Sequence, residues 1–275
     1  MIGKKQFYRT DLVYEEFDKE VSTDTYRYSK KHFGDIKCNH VKIENEKNEF
    51  NRVVGDYIGV EFCNIDTEES RNELVNVCVD QFKLFLKTKY KRFLIVGLGN
   101  EEVIADALGN KVCKQLYVNA HLNKDRQVAV ITPGVMGQTG LDTVSFIKSI
   151  VTMYNPDVVI AIDALATKDI KRLNRVIQIT NTGIQPGSGI GNFQKSLDKQ
   201  TLGIDVIAIG VSTVIDIVSI VNQVVSEMTD EMYKLIHDEF PLMVTPKEMD
   251  YELSFLANIL ARVINTALFT NVCVD

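Results

Sequence analysis

Residues 93–109, FLIVGLGNEEVIADALG, constrain the fold more than any other stretch of the chain. They begin with four apolar residues in a row, which is typical of a strand buried on both faces of a sheet. Gly97 and Gly99 then predict a tight turn in which side chains would obstruct the backbone. A helix is expected from about Glu102, with Asp106 one turn into it. Asp106 would therefore lie at the carboxyl edge of the sheet, where open α/β sheets bind their ligands.

A second buried-strand pattern, DVVIAIDAL at residues 157–165, carries Asp163 at its carboxyl end. Asp106 and Asp163 are each followed by Ala-Leu. Two parallel strands would present these carboxylates at the same edge of the sheet. When two carboxylates share a site they cannot both ionise freely, so the pKa of one of them rises. Such a pair can activate water and protonate a leaving amine, which makes these residues the candidate catalytic pair.

Strand and helix patterns alternate through most of the chain. This alternation predicts an α/β fold, with a mainly parallel or mixed sheet and helices on both faces. The length of 275 residues and the apolar content of 45% suit one large domain. Strands are also predicted at 41–43 and 53–62, as an edge hairpin, and at 128–131, 176–180 and 206–211. Helices are predicted at 68–87, 102–120, 141–153, 213–225, 228–237 and 246–268.

The composition argues against several classes of protein. The net charge is −6 and no long basic run occurs, so direct nucleic-acid binding is disfavoured. The five Cys show no CxxC spacing, so a reducing, cytoplasmic compartment fits better than a disulfide framework. No uninterrupted apolar run is long enough to cross a membrane, so no membrane partner is expected.

Three further motifs leave alternatives open. Gly97-x-Gly99 resembles a dinucleotide fingerprint, but the third glycine would fall at Glu102, which argues against a nucleotide. The Asp pair is also able to hold a divalent metal, for which His121 is the only nearby histidine in sequence. The first expectation is that the site uses neither a cofactor nor a metal. A basic cluster at 168–175 is either a solvated face or a receptor for an acidic peptide side chain.

Eight stretches, in the same order along the chain, resemble the germination protease family of spore-forming bacteria. The resemblance runs from Arg9 to about Leu268, nearly the whole chain. The stretches are RTDL from Arg9, GDYIGVEF from Gly55, GLGN…DALG from Gly97, PGVMGQTG from Pro133, IDAL from Ile162, IQITNTGIQPGSGIGN from Ile177, TLGIDVIAIGVST from Thr201 and LMVTPKEMD from Leu242.

This resemblance implies an endopeptidase that initiates degradation of the small acid-soluble DNA-binding proteins of spores during germination. It implies an atypical aspartic protease that uses Asp106 and Asp163, is made as a zymogen in the cytoplasm of the forespore and assembles as a homotetramer. The resemblance also implies a phosphorylase/hydrolase-like architecture, similar to that of hydrogenase-maturation endopeptidases, whose matching acidic positions surround a metal. A metal-dependent maturation-type endopeptidase is therefore the second hypothesis, and a non-catalytic homologue is the third.

Substrate contacts are expected from one loop and from two basic side chains. The residues assigned to them are Gly97, Gly99, Asn100, Lys168 and Arg172. Lys168 stands where the family usually has Arg. A longer segment that the family carries before His237 is absent here.

Self-processing is expected near Tyr14, Glu15 and Glu16, because RTDLVYEE resembles the processing site of the family and an exposed terminal segment is accessible to a protease. Residues 1–16 are therefore predicted to be a short propeptide-like segment. Residues 17–275 are predicted to form a single α/β peptidase domain.

Overall fold

The computed structural model describes residues 10–17, 21–48, 50–122, 124–185, 195–225 and 228–269. Within these residues, ten strands form one sheet. The strands are β1 (Val21–Ser22), β2 (Tyr26–Phe33), β3 (Ile36–Ile43), β4 (Gly55–Glu61), β5 (Arg92–Gly97), β6 (Gln127–Ile131), β7 (Val158–Thr167), β8 (Val176–Thr180), β9 (Asp205–Asp216) and β10 (Met243–Val244). The α-helices are α1 (Glu68–Lys83), α2 (Leu108–Cys113), α3 (Met136–Thr139), α4 (Thr143–Tyr154), α5 (Lys199–Leu202), α6 (Ile217–Val224), α7 (Asp230–Glu239) and α8 (Met249–Phe269).

The sheet has a parallel half and an antiparallel half, in the strand order β1-β2-β3-β4-β8-β9-β7-β5-β6 with β10 beside β9. Strands β6, β5, β7 and β9 are parallel neighbours. Along the order β1-β2-β3-β4-β8, each strand pairs antiparallel with the next, and β8 pairs antiparallel with β9. The predicted α/β class with a mixed sheet is thus confirmed. The sheet is mainly parallel only in the half that carries the candidate site.

The antiparallel half contains two strands, β1 and β2, that the sequence pattern did not predict. The predicted hairpin is present as β3 and β4, but it is not at the edge, since β2 and β1 lie outside it. In β2 only Tyr28 is buried, so the strand shows no apolar alternation. A strand that packs so few side chains is held by its ladder to β3, which a local pattern does not reveal.

One face of the sheet is covered by α1, α2 and α8. Buried side chains of α8, including Leu253, Leu256 and Leu260, share a core cluster with Phe82 of α1 and Ile95 of β5. By length and composition α8 is able to cross a membrane, but 56% of its most apolar window is buried inside the protein. Its apolar residues are therefore accounted for by the core of this fold.

The other face is covered by α4 over the parallel strands. Asp142 caps α4 by accepting a hydrogen bond from the amide of Ser145 at 2.8 Å, as the preferred helix caps do. Val144, Ile147 and Val151 of α4 are buried against the sheet. Helices therefore lie on both faces, as predicted.

The helix predicted over 102–120 is wrong in its bounds. A 3-10 turn at Ile104–Asp106 precedes α2, and a further 3-10 turn lies at Ala120–Leu122. The carbonyl of Ala105 accepts a hydrogen bond from the Thr213 hydroxyl of β9 at 2.8 Å. This tertiary contact holds the turn before α2 in place of a continuous helix. The helix predicted over 213–225 begins later than expected. Thr213 lies within β9, and Asp216 is the N-cap of α6.

Gly97 permits α2 to pack against the end of β5, and Gly97→Ala should destabilise the fold by about 1–3 kcal/mol, the usual cost of overpacking. An added Cβ would lie 2.5 Å from the Gly109 carbonyl oxygen and 2.7 Å from the Cys113 sulfur. Gly137→Ala is the matched control, because no atom lies within 4 Å of its added Cβ and Ala is the better helix former. Urea unfolding of both variants measures the difference, and equal stabilities would contradict this packing.

Candidate active site

Asp163 lies inside β7 and not at its carboxyl end, which corrects the sequence-based placement. The preceding residue, Ile162, is level with Gly97, the last residue of β5, and the Leu98 amide donates to the Ile162 carbonyl at 2.8 Å. On the other side Asp163 is level with Gly210 of β9. Asp163 therefore lies next to the carboxyl end of β5, although its own strand continues beyond that point.

The carboxylate of Asp163 lies between two apolar clusters on one face of the sheet. Side chains alternate along a strand, so Val159, Ala161, Asp163 and Leu165 point to the same face. Val159 and Ala161 are buried under α4, whereas Leu165 is buried with residues of the N-terminal segment. The whole residue Asp163 is only 6% exposed.

Asp106 is held at this edge by the glycine-containing loop that follows β5. Gly99 has a φ of +97°, and a Cβ there would lie 2.0 Å from the Asp106 carbonyl oxygen and 3.0 Å from its Oδ1. Only glycine permits so close an approach. The Asn100 amide donates to Oδ2 of Asp106 at 2.6 Å. The loop therefore fixes a half-buried carboxylate beside the end of β5.

The environments of the two carboxyl groups differ, and both raise their pKa. Burial raises the pKa of Asp163 well above its ordinary value, and the negative charge of Asp106 raises it further. Burial also raises the pKa of Asp106, but the hydrogen bond from the Asn100 amide opposes that rise. These directions favour a protonated Asp163 and a more readily ionised Asp106.

Gly97, Gly99 and Asn100, predicted as substrate contacts, lie beside Asp106 and shape its loop. Asn100 has a second structural task, because its Oδ1 accepts hydrogen bonds from the Glu102 amide at 2.9 Å and from Gln138 Nε2 at 2.6 Å. Their contact with a substrate stays a prediction.

Of the two predicted basic contacts, Lys168 is held through its backbone, and Arg172 is engaged through its side chain. The Lys168 amide donates to Glu15 at 3.0 Å, and its carbonyl accepts from Gln223 at 2.7 Å. The Arg172 guanidinium lies 3.3 Å from Glu15 and 3.5 Å from Glu61, and stacks on the ring of Tyr14. Both residues follow the carboxyl end of β7, and Lys168 is five residues along the chain from Asp163, which is about 16 Å on an extended strand.

The predicted processing region is buried, so the expected exposure of Tyr14, Glu15 and Glu16 is wrong. Tyr14 and Glu15 are 3% and 5% exposed, and the Glu16 side chain is 10% exposed. The apolar side chains of this segment pack into a core cluster with the antiparallel strands, so the segment is not a flexible tail. Residues 1–9 of the predicted propeptide lie outside the described residues, and a cleavage near Tyr14 stays a prediction.

Hydrogen bonds hold the N-terminal segment Thr10–Phe17 onto the sheet beside Asp163. The Asp11 amide donates to the Ala166 carbonyl at 2.9 Å, and the Ala166 amide returns a bond to Asp11 Oδ2 at 2.8 Å. Gln178 of β8 accepts from the Val13 amide at 2.9 Å and donates to the Asp11 carbonyl at 2.8 Å. Sequence reasoning missed Gln178, whose position in an alternating strand predicts only its face.

Ion pairs close the same segment over the sheet. Arg52 makes a bidentate contact with Glu16, at 2.8 and 3.2 Å, and donates to the Thr10 carbonyl at 3.0 Å. The Glu15 side chain has no exposed area and accepts hydrogen bonds from the hydroxyls of Thr10 and Thr167 as well as from Arg172. Arg52 was also missed, since it lies in a loop without a motif.

A cavity of about 230 Å³ lies between this segment and the sheet. Asp11 and Val13 line it from the segment, while Leu165 and Gly210 line it from β7 and β9. Gly210 is the neighbour of Asp163 across the sheet, so the cavity approaches the candidate pair from the antiparallel side. Its other end is lined by Arg52 and by residues of β4 and β8.

Comparison with known proteins identifies the family. The sequence model of the germination proteases matches residues 8–241 of this chain. The chain belongs to the germination protease family. It is 36% identical to the germination protease of Caldanaerobacter subterraneus subsp. tengcongensis, over 94% of each chain. It is 36% identical to that of Bacillus subtilis, over 87% of this chain and 85% of the relative, and 35% identical to that of Clostridium tetani, over 86% and 85%.

Among solved structures, the chain is similar to a NiFe hydrogenase maturation protease from Thermococcus kodakarensis. The identity is 20% and the TM-score 0.38, over 68% of this chain and 98% of that one. The fold assignment therefore depends on the sheet itself. Membership of the germination protease family makes the chain a peptidase, a hydrolase whose substrate is a protein.

The described residues do not bring together the ligands that the metal alternative requires. In the part of the chain that the structure describes, no three His, Cys, Asp or Glu side chains come together as a metal site. His121 is exposed on the turn Ala120–Leu122, beside the amino end of β6. Because β5 and β6 are parallel, Asp106 lies at the opposite edge of the sheet.

Asp163→Asn should raise the free energy of unfolding at neutral pH by about 1–3 kcal/mol, the cost of one poorly accommodated buried polar group. Because burial raises the pKa of Asp163, the folded chain retains a proton that the unfolded chain releases. The stability that this retained proton gives to the folded wild type is fully present below the ordinary carboxyl pKa of about 4. It is lost as pH rises through the raised pKa. The gain of the variant should therefore vanish towards pH 4.

Urea unfolding at a series of pH values tests this dependence. Asp142→Asn is the control, because hydrogen bonds from Ser145 lower the pKa of that carboxyl and Asn is an equally good cap. A gain of Asp163→Asn that does not change with pH would show that the carboxyl is not protonated in the fold.

Proposed function

We propose that this chain is an endopeptidase that hydrolyses peptide bonds with Asp106 and Asp163 as an acid–base pair. The observation that carries the proposal is the asymmetry of the pair, one buried carboxyl with a strongly raised pKa beside a half-buried carboxylate with an amide donor. Paired carboxyl groups whose pKa values are pushed apart divide the roles of acid and base.

In the proposed reaction the ionised Asp106 accepts a proton from a water molecule. The water oxygen forms a bond to the carbonyl carbon, while the protonated Asp163 donates to the carbonyl oxygen. Collapse of the tetrahedral intermediate breaks the carbon–nitrogen bond, and the proton held by Asp106 passes to the leaving amine. A new carboxyl group and a new amine result, and the proton returns to Asp163.

The proposed substrates are the small acid-soluble DNA-binding proteins of spores. The family resemblance supports this choice, and so does the use of the word germination for the relatives. The same argument proposes the cytoplasm of the forespore as the compartment. A homotetramer is proposed on the family resemblance alone, and sedimentation of the purified chain tests it.

A zymogen is proposed because the N-terminal segment occupies the region in front of Asp163. The charge of Asp11 contributes to the raised pKa of Asp163, which shows how near the segment lies. Glu15 and Glu16 meanwhile hold Arg172 and Arg52. A substrate chain that approaches from this side requires the segment to move. Cleavage near Tyr14–Glu16 is proposed to follow from such a movement.

Replacement of either carboxyl should abolish peptidase activity. Asp106→Asn and Asp163→Asn are each expected to lower kcat by about 10²–10⁴-fold, the usual contribution of one member of an acid–base pair. Asp142→Asn is the control that changes a partly exposed carboxyl outside the pair to the same amide. Cleavage of a small acid-soluble spore protein, followed by mass spectrometry, measures the effect. Full activity in both pair variants would contradict the proposed mechanism.

Weakening the contacts that hold the N-terminal segment on the sheet should shorten any lag before peptidase activity begins. Glu16→Gln removes the charge that binds Arg52, and a loss of about 1–2 kcal/mol raises the displaced population about 5–30-fold. Glu44→Gln, which breaks the surface pair with Arg27, is the matched control. The time course of cleavage by the full chain measures the lag. An identical lag in the wild type and both variants would separate the segment from any inhibitory role.

A further inference from the structure

Strand β9 contains a β-bulge next to the candidate site, and Thr213 is its extra residue. Leu165 of β7 is level with Ser212 of β9, but the following residue, Ala166, is level with Val214. Strand β9 therefore takes two steps where β7 takes one. Bulges of this kind change the direction in which a side chain points, and they are frequent beside active sites.

The extra residue of the bulge is bonded to the loop that carries Asp106. Thr213 has no exposed area, and its hydroxyl donates to the Ala105 carbonyl at 2.8 Å. That carbonyl belongs to the peptide group whose nitrogen is the amide of Asp106, so the contact holds the backbone of Asp106 itself. The Thr213 carbonyl in turn accepts from the Thr245 hydroxyl at 3.0 Å, which keeps the bulged backbone in place.

The Thr213 hydroxyl also connects this loop to the strand beside the other carboxyl group. Asp163 on β7 is level with Gly210, which lies three residues before Thr213 on β9. The Leu98 amide bonds the start of the loop to β7 at 2.8 Å, and Thr213 bonds its end to β9. A loop that is fixed at both ends holds Asp106 at a constant distance from Asp163.

We propose that Thr213 is a positioning residue, whose hydroxyl bond to Ala105 sets the separation of the Asp106 and Asp163 carboxyl groups. This inference rests on the proposed function, in which the two groups act as a pair. The alternative is that the hydroxyl only satisfies a buried carbonyl, as hydrogen bonds in protein interiors generally do.

The two roles of the hydroxyl differ in their effect on Asp163. The charge of Asp106 contributes to the raised pKa of Asp163. If removal of the hydroxyl lets Asp106 move away, that contribution weakens and the pKa of Asp163 falls. A bond that only satisfies a carbonyl leaves the pKa of Asp163 where it is, even when its loss lowers the stability of the fold.

Three substitutions in the full chain test the proposal. Thr213→Val removes the hydroxyl and keeps a branched side chain of similar size. Thr213→Ser keeps the hydroxyl and removes the methyl group. Thr152→Val is the control, because it makes the same change at an exposed hydroxyl of α4 that donates to the Lys148 carbonyl at 3.0 Å.

The measured quantities are kcat and KM for a small acid-soluble spore protein over a series of pH values, after any processing of the enzyme by itself. Urea unfolding confirms that each variant is folded. If Thr213→Val does not fold, Thr213→Ala takes its place, since it also removes the hydroxyl and puts no methyl group in its position.

Thr213→Val should lower kcat by about 10–100-fold with little change in KM, because a misplacement of about 1 Å costs up to about 10²-fold. The fall of kcat at high pH, where Asp163 loses its proton, should move to lower pH. Thr213→Ser and Thr152→Val should retain the kcat and the pH profile of the wild type.

A fall of kcat at the same high pH in the wild type and in the variant without the hydroxyl would overturn the positioning role, whatever the value of kcat. The same shift in Thr213→Ser would also overturn it, because the methyl group and not the hydroxyl would be responsible. Cleavage that persists in Asp106→Asn would instead overturn the proposed function, and that result requires no variant of Thr213.

Discussion

The burial of one carboxyl group in the parallel half of the sheet is the constraint on which the site depends. Asp163 lies on a middle strand, between a cluster under α4 and a cluster under the N-terminal segment. A carboxylate in such a place is costly, so the group keeps its proton unless something compensates. The Asp106 loop supplies a second carboxyl that increases this tendency instead of relieving it. The fold thus holds two acidic side chains in surroundings that raise the pKa of both.

The N-terminal segment is a built part of the sheet face and not an appendage. Its backbone is bonded to β7 and to Gln178 of β8, and its carboxylate Glu15 is completely enclosed. Burying a charge is tolerated only where several donors surround it, and here two hydroxyls, an amide and a guanidinium do so. Any protein chain that takes the place of this segment must satisfy Arg52 and Arg172 again or leave them in contact with water.

The sequence predicts the parallel half of the fold well, because buried parallel strands are unbroken apolar runs with little else to explain them. It also selects Asp106 and Asp163, since polar residues that follow such runs are conspicuous. It does not predict β2, whose side chains are mostly exposed, nor the 3-10 turn before Asp106, which Thr213 fixes from a distant strand. Arg52 and Gln178 were missed for the same reason, as their partners are far away in sequence.

One chain of hydrogen bonds passes from the turn before Asp106 to the carboxyl-terminal part of the protein. Thr213 of β9 donates to Ala105, and the Thr245 hydroxyl donates to the Thr213 carbonyl at 3.0 Å. The intervening residues, from α6 to β10, leave and rejoin the sheet at β9, where β10 pairs with it. That excursion is therefore a module with both ends fixed at one place. A change of length within that excursion would therefore leave the turn before Asp106 in place, because the contact of Thr213 with Ala105 lies outside it.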